Sequence, residues 1–135
     1  MNKYIDNINL DIVSNQTLAF IGDAVYNVYI RSYLASISNK NTGMLHKQSV
    51  NYVSAKAQSK IMDGIIDKLT EEEIEIYKRG RNTNVGTISK KVDVFDYKKA
   101  TGFEALLGRL YINKNTLRLE QLIDIAIEIV EDNRR

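Results

Sequence analysis

The chain of 135 residues contains no cysteine and no proline, and it has a single histidine. Without cysteine the protein has no disulfide, no thiolate zinc site and no cysteine nucleophile, which fits a reducing, intracellular setting. Without proline it has no proline-rich linker that would separate two domains. We therefore predict one domain over residues 1–135, with a core at about residues 14–130, a length that can bury a core of its own.

Long apolar runs are also missing. Residues 1–15 mix Lys3, Asp6 and Asp11 with isolated apolar residues, so they lack the continuous apolar core of a signal peptide. No later segment approaches the ~20 apolar residues that a membrane-spanning helix needs. The sequence therefore predicts a soluble, cytoplasmic protein with no membrane partner.

Acidic residues are missing from one long stretch. From Arg31 to Met62 there are five basic residues and no acidic one, and Lys78–Lys99 carries seven basic residues against two acids. The formal net charge is only +2, so the basic charge is segregated along the chain. A basic face suits a polyanion such as a nucleic-acid backbone, although solvated surface lysines give the same pattern.

The spacing of apolar residues predicts an all-α fold. The first helix follows a cap at Ser14 or Asn15, and apolar residues three and four positions apart form its buried stripe. That stripe consists of Leu18, Ile21, Val25, Val28 and Tyr29. A second helix is predicted over Met44–Leu69, interrupted near Gly64. Its inward residues are Leu45, Val50, Val53, Ala57, Ile61 and Ile65.

Further helices follow in the second half of the chain. Thr70 and Glu73 form a capping-box pattern at the start of a short helix that we expect to end before Gly80. Residues 81–91 have no periodicity and are predicted to form a loop. Two more helices are predicted within Val94–Ile112 and over Arg118–Val130.

Two acids, Asp23 and Glu104, lie in the most apolar, small-residue-rich segments of the chain. A carboxylate in such surroundings is costly unless it is paired or binds a metal. Small neighbours such as Gly22 and Gly108 would let the two helices approach closely and bring both carboxylates to one point. Mg²⁺ accepts one or two protein carboxylates together with water and phosphate oxygens. The alternative is that each acid is simply a solvated helix residue.

These two segments resemble the signature segments of the ribonuclease III catalytic domain, a metal-dependent, all-helical endonuclease. The matching runs are Phe20-Ile21-Gly22-Asp23-Ala24-Val25 and Phe103-Glu104-Ala105-Leu106-Leu107-Gly108. The chain is most similar to the short bacterial branch of that family, mini-ribonuclease III, which has no double-stranded RNA-binding domain. Further segments similar to that branch are Leu45-His46-Lys47, residues 52–58, residues 78–82 and residues 97–104. The resemblance covers about residues 14–130.

The resemblance implies an all-α, ribonuclease III-like helical bundle that forms a homodimer and cleaves double-stranded RNA with Mg²⁺ held by Asp23 and Glu104. It further implies maturation of precursor large-subunit (23S) ribosomal RNA, with a ribosomal protein or the pre-ribosome as a possible partner. Full-length family members carry two further carboxylates where this chain has Ala19 and Thr101. The alternative is therefore a weak or inactive dimeric protein that binds RNA or associates with the ribosome.

A set of polar and basic residues is expected to contact RNA, on the basis of charge and of the resemblance. These residues are His46, Lys47, Lys56, Lys78, Arg79, Arg81, Asn82, Lys90 and Lys91. Alternatives stay open for some of them, since His46 could be a general base or a packing residue and the arginines could cap a helix. Phe20 is predicted either at a dimer interface or in the core.

Overall fold

Residues 2–83 and 93–134 are described here from a computed structural model. This part of the chain forms six α-helices and no β-strand, which confirms the all-α prediction. The helices are α1 (Asn15–Ile37), α2 (Thr42–Val53), α3 (Ala55–Ile65), α4 (Glu71–Arg81), α5 (Val94–Ile112) and α6 (Thr116–Asn133). None of the helices within the described ranges is long and apolar enough to cross a bilayer.

Side-chain caps start several helices as the sequence predicts. The Oγ of Ser14 accepts a hydrogen bond from the backbone N–H of Thr17 at 3.0 Å and begins α1. Thr70 and Glu73 form the complete capping box of α4. The predicted end of α4 before Gly80 is wrong, because the helix continues to Arg81. Gly80 is buried against α5, where its missing side chain lets the two helices approach each other.

The predicted helix over Met44–Leu69 is two helices, and the interruption lies at Ser54, not near Gly64. Ser54 is extended, with φ −63° and ψ 156°, and its N–H donates to the carbonyl of Val50 at the end of α2. Its Oγ accepts from the N–H of Ala57 at 3.2 Å and begins α3. Gly64 lies inside α3, and a short 3-10 helix follows at Ile66–Lys68.

Helix α5 is at the centre of the fold. It contacts α1, α3, α4 and α6, and its buried residues occur on every side of the helix, as expected for a helix enclosed by others. The ring of Phe103 meets the ring of Tyr26 edge to face, with centroids 5.2 Å apart. The N-terminal residues Ile5 and Ile8 pack beside α1 and α5.

Two residues predicted to face inward do not. Val28 on α1 and Val50 on α2 are exposed. In α1 the buried stripe continues through Tyr26, Ile30 and Leu34 and does not include Val28. Phe20 is 79% exposed, so packing in the core of its own chain is excluded.

An ion pair joins α4 to α6. Arg118 donates from Nε and Nη2 to the two carboxylate oxygens of Glu73, both at 2.9 Å, and also from Nη2 to the carbonyl of Lys68 at 2.8 Å. The Arg118 guanidinium holds the pKa of the buried Glu73 carboxyl below its ordinary value. This fork-shaped contact fixes the start of α4 against the start of α6.

Candidate active site

The site begins with a contact between α1 and α5 that only glycine permits. A Cβ atom added to Gly22 would lie 1.7 Å from the carbonyl oxygen of Glu104, and one added to Gly108 would lie 2.0 Å from that of Leu18. The two helices therefore touch backbone to backbone. The close approach predicted from the small residues beside the two acids is what the structure shows.

This contact brings the carboxylates of Asp23 and Glu104 together. Asp23 is exposed and Glu104 is half-buried. Burial, the charge of Asp23 and a hydrogen bond shared with Asp23 together raise the pKa of Glu104 to about 8, and burial is the largest of these causes. Among the residues that the structure describes, neither carboxylate forms an ion pair with lysine or arginine.

Two side-chain amides hold these acids. Asn27, one turn after Asp23, donates from Nδ2 to the Oδ1 of Asp23 at 3.1 Å and to its carbonyl at 2.9 Å. Gln58 of α3 donates from Nε2 to the Oε2 of Glu104 at 3.2 Å and to the carbonyl of Val53 at 2.9 Å. The site thus combines groups from three helices.

Gln58 was missed in the sequence, although a signal for it exists. The residue lies three and seven positions before Ile61 and Ile65, which are fully buried, so it belongs to their stripe. The prediction assigned that inward position to Ala57, which is only half-buried. A polar residue on an otherwise apolar stripe is the pattern that identifies Gln58.

The donor set suits a hard divalent cation. Two neighbouring carboxylates without a basic partner repel each other, and Mg²⁺ binds through one or two carboxylates while keeping several waters. Within the described ranges no group of three or more His, Cys, Asp or Glu residues converges. Ala19 is buried, and the hydroxyl of Thr101 donates back to the carbonyl of Tyr97 at 2.9 Å. Ala19 and Thr101 therefore add no carboxylate to this pair.

The end of α4 lies beside the Glu104 turn. A Cβ atom on Gly80 would be 2.7 Å from the Cβ of Ala105, so the neighbouring predicted RNA-contact residues of α4 are held near α5. Lys78 and Arg79 are exposed, and Asn82 is the exposed C-cap of the helix. The carbonyl of Arg79 accepts a bond from the Thr83 hydroxyl at 2.8 Å, so a threonine caps this end.

Arg81 is more constrained than the other cations of α4. Its guanidinium lies 5.6 Å from the ring centroid of Tyr77, and its Nε donates to the Oδ1 of Asn82 at 3.1 Å. This side chain is half-buried. It is therefore committed to contacts within the protein, in contrast to Arg79.

Three of the remaining predicted RNA-contact residues lie on α2 and α3, not on the helices that carry the two acids. Lys56 is two residues before Gln58, about 200° around α3, where it lines a groove of about 360 Å³ with Lys60 and Arg134. His46 and Lys47 are exposed on α2, about 10 Å along the helix axis from its end at Val53. Lys90 and Lys91 lie outside the described residues.

Comparisons with known proteins agree with this arrangement. The ribonuclease III domain family matches residues 16–115. The mini-ribonuclease 3 of Enterococcus faecalis is 46% identical over 115 residues, which are 84% of this chain and 87% of that protein. The protein of the same name from Staphylococcus aureus is 37% identical over 134 residues, 98% of this chain and 99% of that one.

A solved structure is similar as well. The crystal structure of a Fusobacterium nucleatum protein superposes with a TM-score of 0.79 and is 36% identical, covering 87% of this chain and 93% of that one. Fold, sequence and the segments around both acids thus lead to one assignment. The chain belongs to the ribonuclease III family of endoribonucleases, in its mini-ribonuclease III branch.

Proposed function

We propose that Asp23 and Glu104 are the catalytic, metal-binding residues of this endoribonuclease and that the ion they bind is Mg²⁺. Ribonuclease III enzymes act on double-stranded RNA and depend on divalent metal ions. The observation that supports the assignment is the pair of facing carboxylates at the glycine contact of α1 and α5, where the pKa of Glu104 is raised to about 8.

Each part of the site has a distinct task. When bound, Mg²⁺ lowers the pKa of a coordinated water and offsets the charge that develops on the phosphate. Asp23 and Glu104 supply two oxygen ligands at a separation fixed by the backbone contact. Asp23 is the exposed acid of the pair, so it faces the side from which RNA arrives. No side chain needs to act as a nucleophile.

The RNA is expected to bind through its phosphates and 2′-hydroxyls, because double-stranded RNA is recognised mainly by shape and backbone. Lys78 and Arg79 are exposed cations at the end of α4, which packs on α5 beside the Glu104 turn, and we place the first backbone contacts there. Lys90 and Lys91 follow in the same basic segment. His46, Lys47 and Lys56 would contact RNA beyond the cleaved bond.

The natural substrate that we propose is precursor 23S ribosomal RNA, cut in the duplex stems that join its mature ends. This follows from the similarity to the mini-ribonuclease III branch. Ribosomal RNA precursors are cytoplasmic in bacteria, so we place the protein there, acting as a single catalytic domain. A ribosomal protein on the precursor is the partner that would present the stem.

We also propose that the protein is a homodimer. Phe20, Ala24 and Val28 are spaced four residues apart and are all exposed, so they form an apolar ridge about 12 Å long on α1. Such a ridge is suited to a symmetric contact with a second copy of α1. The ridge includes the neighbour of Asp23, so each of the two sites would lie close to the two-fold axis, as cutting both strands requires.

Cleavage of a labelled, perfectly paired RNA tests the active site. Wild-type protein with Mg²⁺ should cut both strands, whereas EDTA, Asp23→Asn or Glu104→Gln should reduce the rate at least 100-fold. Asp124→Asn removes an exposed acid of α6 and is the matched control, which should keep full activity. Unchanged cleavage by Asp23→Asn would exclude the proposed site. Binding of RNA without any cleavage product would instead favour an RNA-binding protein. A duplex from the ends of precursor 23S ribosomal RNA is the second substrate, to be compared with the perfectly paired RNA.

The oligomeric state tests the ridge. Phe20→Arg should convert the dimer to a monomer in sedimentation equilibrium while leaving the helical circular dichroism unchanged, because Phe20 contributes nothing to the core. Leu117 is 74% exposed but lies on α6 and does not belong to the ridge, so Leu117→Arg should remain dimeric. A dimer that persists in Phe20→Arg would contradict this interface.

A further inference from the structure

Gln58 is a polar side chain in a place where an apolar one is expected. The residue is 1% exposed and shares its face of α3 with Ile61 and Ile65, which are fully buried. Among the described residues, the Gln58 side chain forms hydrogen bonds only with the Glu104 carboxylate and the backbone carbonyl of Val53. A core position therefore carries an amide that reaches a proposed metal ligand.

The orientation of this amide is fixed by its two partners. Both partners are acceptors, and only the Nε2 end has two N–H groups to donate. The Val53 carbonyl belongs to the last residue of α2, immediately before the Ser54 break. One N–H of Gln58 is thus held by the corner between α2 and α3, and the other is directed at the Oε2 of Glu104.

The same orientation leaves the other end of the amide without a partner. The Oε1 of Gln58 is buried and accepts no hydrogen bond from the described part of the chain. A buried polar atom in this condition lowers the stability of the fold. A leucine or methionine would avoid that cost but would also remove the two hydrogen bonds that Nε2 donates.

We propose that Gln58 is a positioning residue for the metal site: it holds the Glu104 carboxylate in a fixed orientation. It supplies one donor to Oε2 and leaves the rest of the carboxylate to face Asp23 and the cation. Substitution of a residue that hydrogen-bonds a metal ligand commonly lowers metal affinity or activity 10–100-fold.

This inference rests on the proposed function, and its test separates the two. Gln58→Met keeps the length of the side chain but removes both the donor and the unpartnered oxygen. We expect its thermal midpoint to stay close to that of the wild type, because the loss of two hydrogen bonds is offset by removal of the unpartnered oxygen. Its affinity for Mn²⁺, followed by the free-ion signal in electron paramagnetic resonance, should fall 10–100-fold. At saturating Mg²⁺, kcat should fall while KM for duplex RNA stays constant, because Gln58 does not reach the surface.

Gln48→Met is the matched control. Gln48 lies on α2, and its Oε1 is also buried without a partner, but it borders a cavity formed with Lys40, Tyr52 and Arg134, among others. The substitution should change stability as Gln58→Met does and leave Mn²⁺ affinity and kcat unaltered. Equal losses of metal affinity in both variants would overturn the positioning role.

Three other results have definite meanings. Unfolding of Gln58→Met, or a clear fall of its thermal midpoint, would make Gln58 a structural residue and overturn the inference. If the wild type cuts RNA and Gln58→Met retains its Mn²⁺ affinity and kcat, the inference fails and the proposed function stands. If the wild type neither binds Mn²⁺ nor cuts duplex RNA, the proposed function fails first and the inference fails with it.

Discussion

Replacing Glu104 by glutamine should stabilise the metal-free protein in alkaline solution, although it should abolish cleavage. In the wild type without metal, the folded protein resists ionising Glu104, whose pKa is about 8 instead of the ordinary 4.5. The unfolded chain ionises this group freely. Between these two values the folded state binds more protons than the unfolded state, so stability falls as pH rises.

The size of the effect follows from the pKa. One pKa unit corresponds to about 1.4 kcal/mol, and Glu104 is partly open to water, which reduces the full effect. We expect the metal-free wild type to lose roughly 3 kcal/mol between pH 5 and pH 9 on this account. Glu104→Gln has no proton to lose, so its stability should match the wild type at pH 5 and exceed it at pH 9.

Urea denaturation in EDTA at pH 5, 6, 7, 8 and 9 measures this difference, with Glu128→Gln as the control for an exposed glutamate of α6. The range avoids the acid region, where protonation of Glu73 would remove the ion pair with Arg118. Mg²⁺ at pH 8 should restore the lost stability in the wild type and not in Glu104→Gln, since a ligand stabilises only the state that binds it. Parallel pH profiles for wild type and Glu104→Gln would refute the argument.

Three further predictions concern packing and charge. Gly22→Ala should lower the free energy of unfolding in urea by more than about 3 kcal/mol, because its new methyl group would lie 1.7 Å from a backbone oxygen. Gly43→Ala, whose nearest contact would be 3.4 Å away, should be neutral or stabilising. Equal effects of the two substitutions would show that α1 and α5 can separate. Arg118→Ala should lower the free energy of unfolding by about 2–3 kcal/mol, because it leaves a buried Glu73 without its partner. Asp6→Asn, which removes the exposed pair with Lys114, should lower it by less than about 1 kcal/mol. Similar losses would mean that the Glu73 pair is no stronger than a surface contact. Arg79→Ala should reduce the number of counterions released on duplex binding by about one, measured as the slope of log affinity against log salt concentration. Arg81→Ala should reduce it by less, because Arg81 is already held over Tyr77. The reverse order would exclude Arg79 as the main contact.

The helices could be predicted from the sequence because their signals are local. The serine cap of α1, the Thr70 capping box and the apolar stripes depend on residues only a few positions apart. The break at Ser54 was not predicted because serine is tolerated inside a helix and favoured at its start, so local sequence does not decide between the two. Gly80 was taken as the end of a helix for a similar reason, although its role is a close contact with Ala105.

The candidate site was predictable to the extent that its residues are unusual for their surroundings. Asp23 and Glu104 could be identified because they are acids among small and apolar residues, and the glycines beside them indicated close helix packing. Asn27 contacts Asp23 one turn along α1, a neighbour that helix spacing alone provides. Gln58 acts through a partner that only the packed structure brings near, across from α3 to α5. The direction of the basic side chains is likewise set by how the helices are rotated, which separates Lys56 from the acids.

The backbone contact at Gly22 and Gly108 also has a consequence for how this protein can diverge. Where helices pack through side chains, a substitution can move one helix by a fraction of an ångström and so retune the distance between residues on either side. Here the spacing is set by two main chains in direct contact, which cannot come closer and which any added side chain would force apart. Changes in metal preference or rate must therefore arise at the residues around the two acids, while the frame that holds them stays constant.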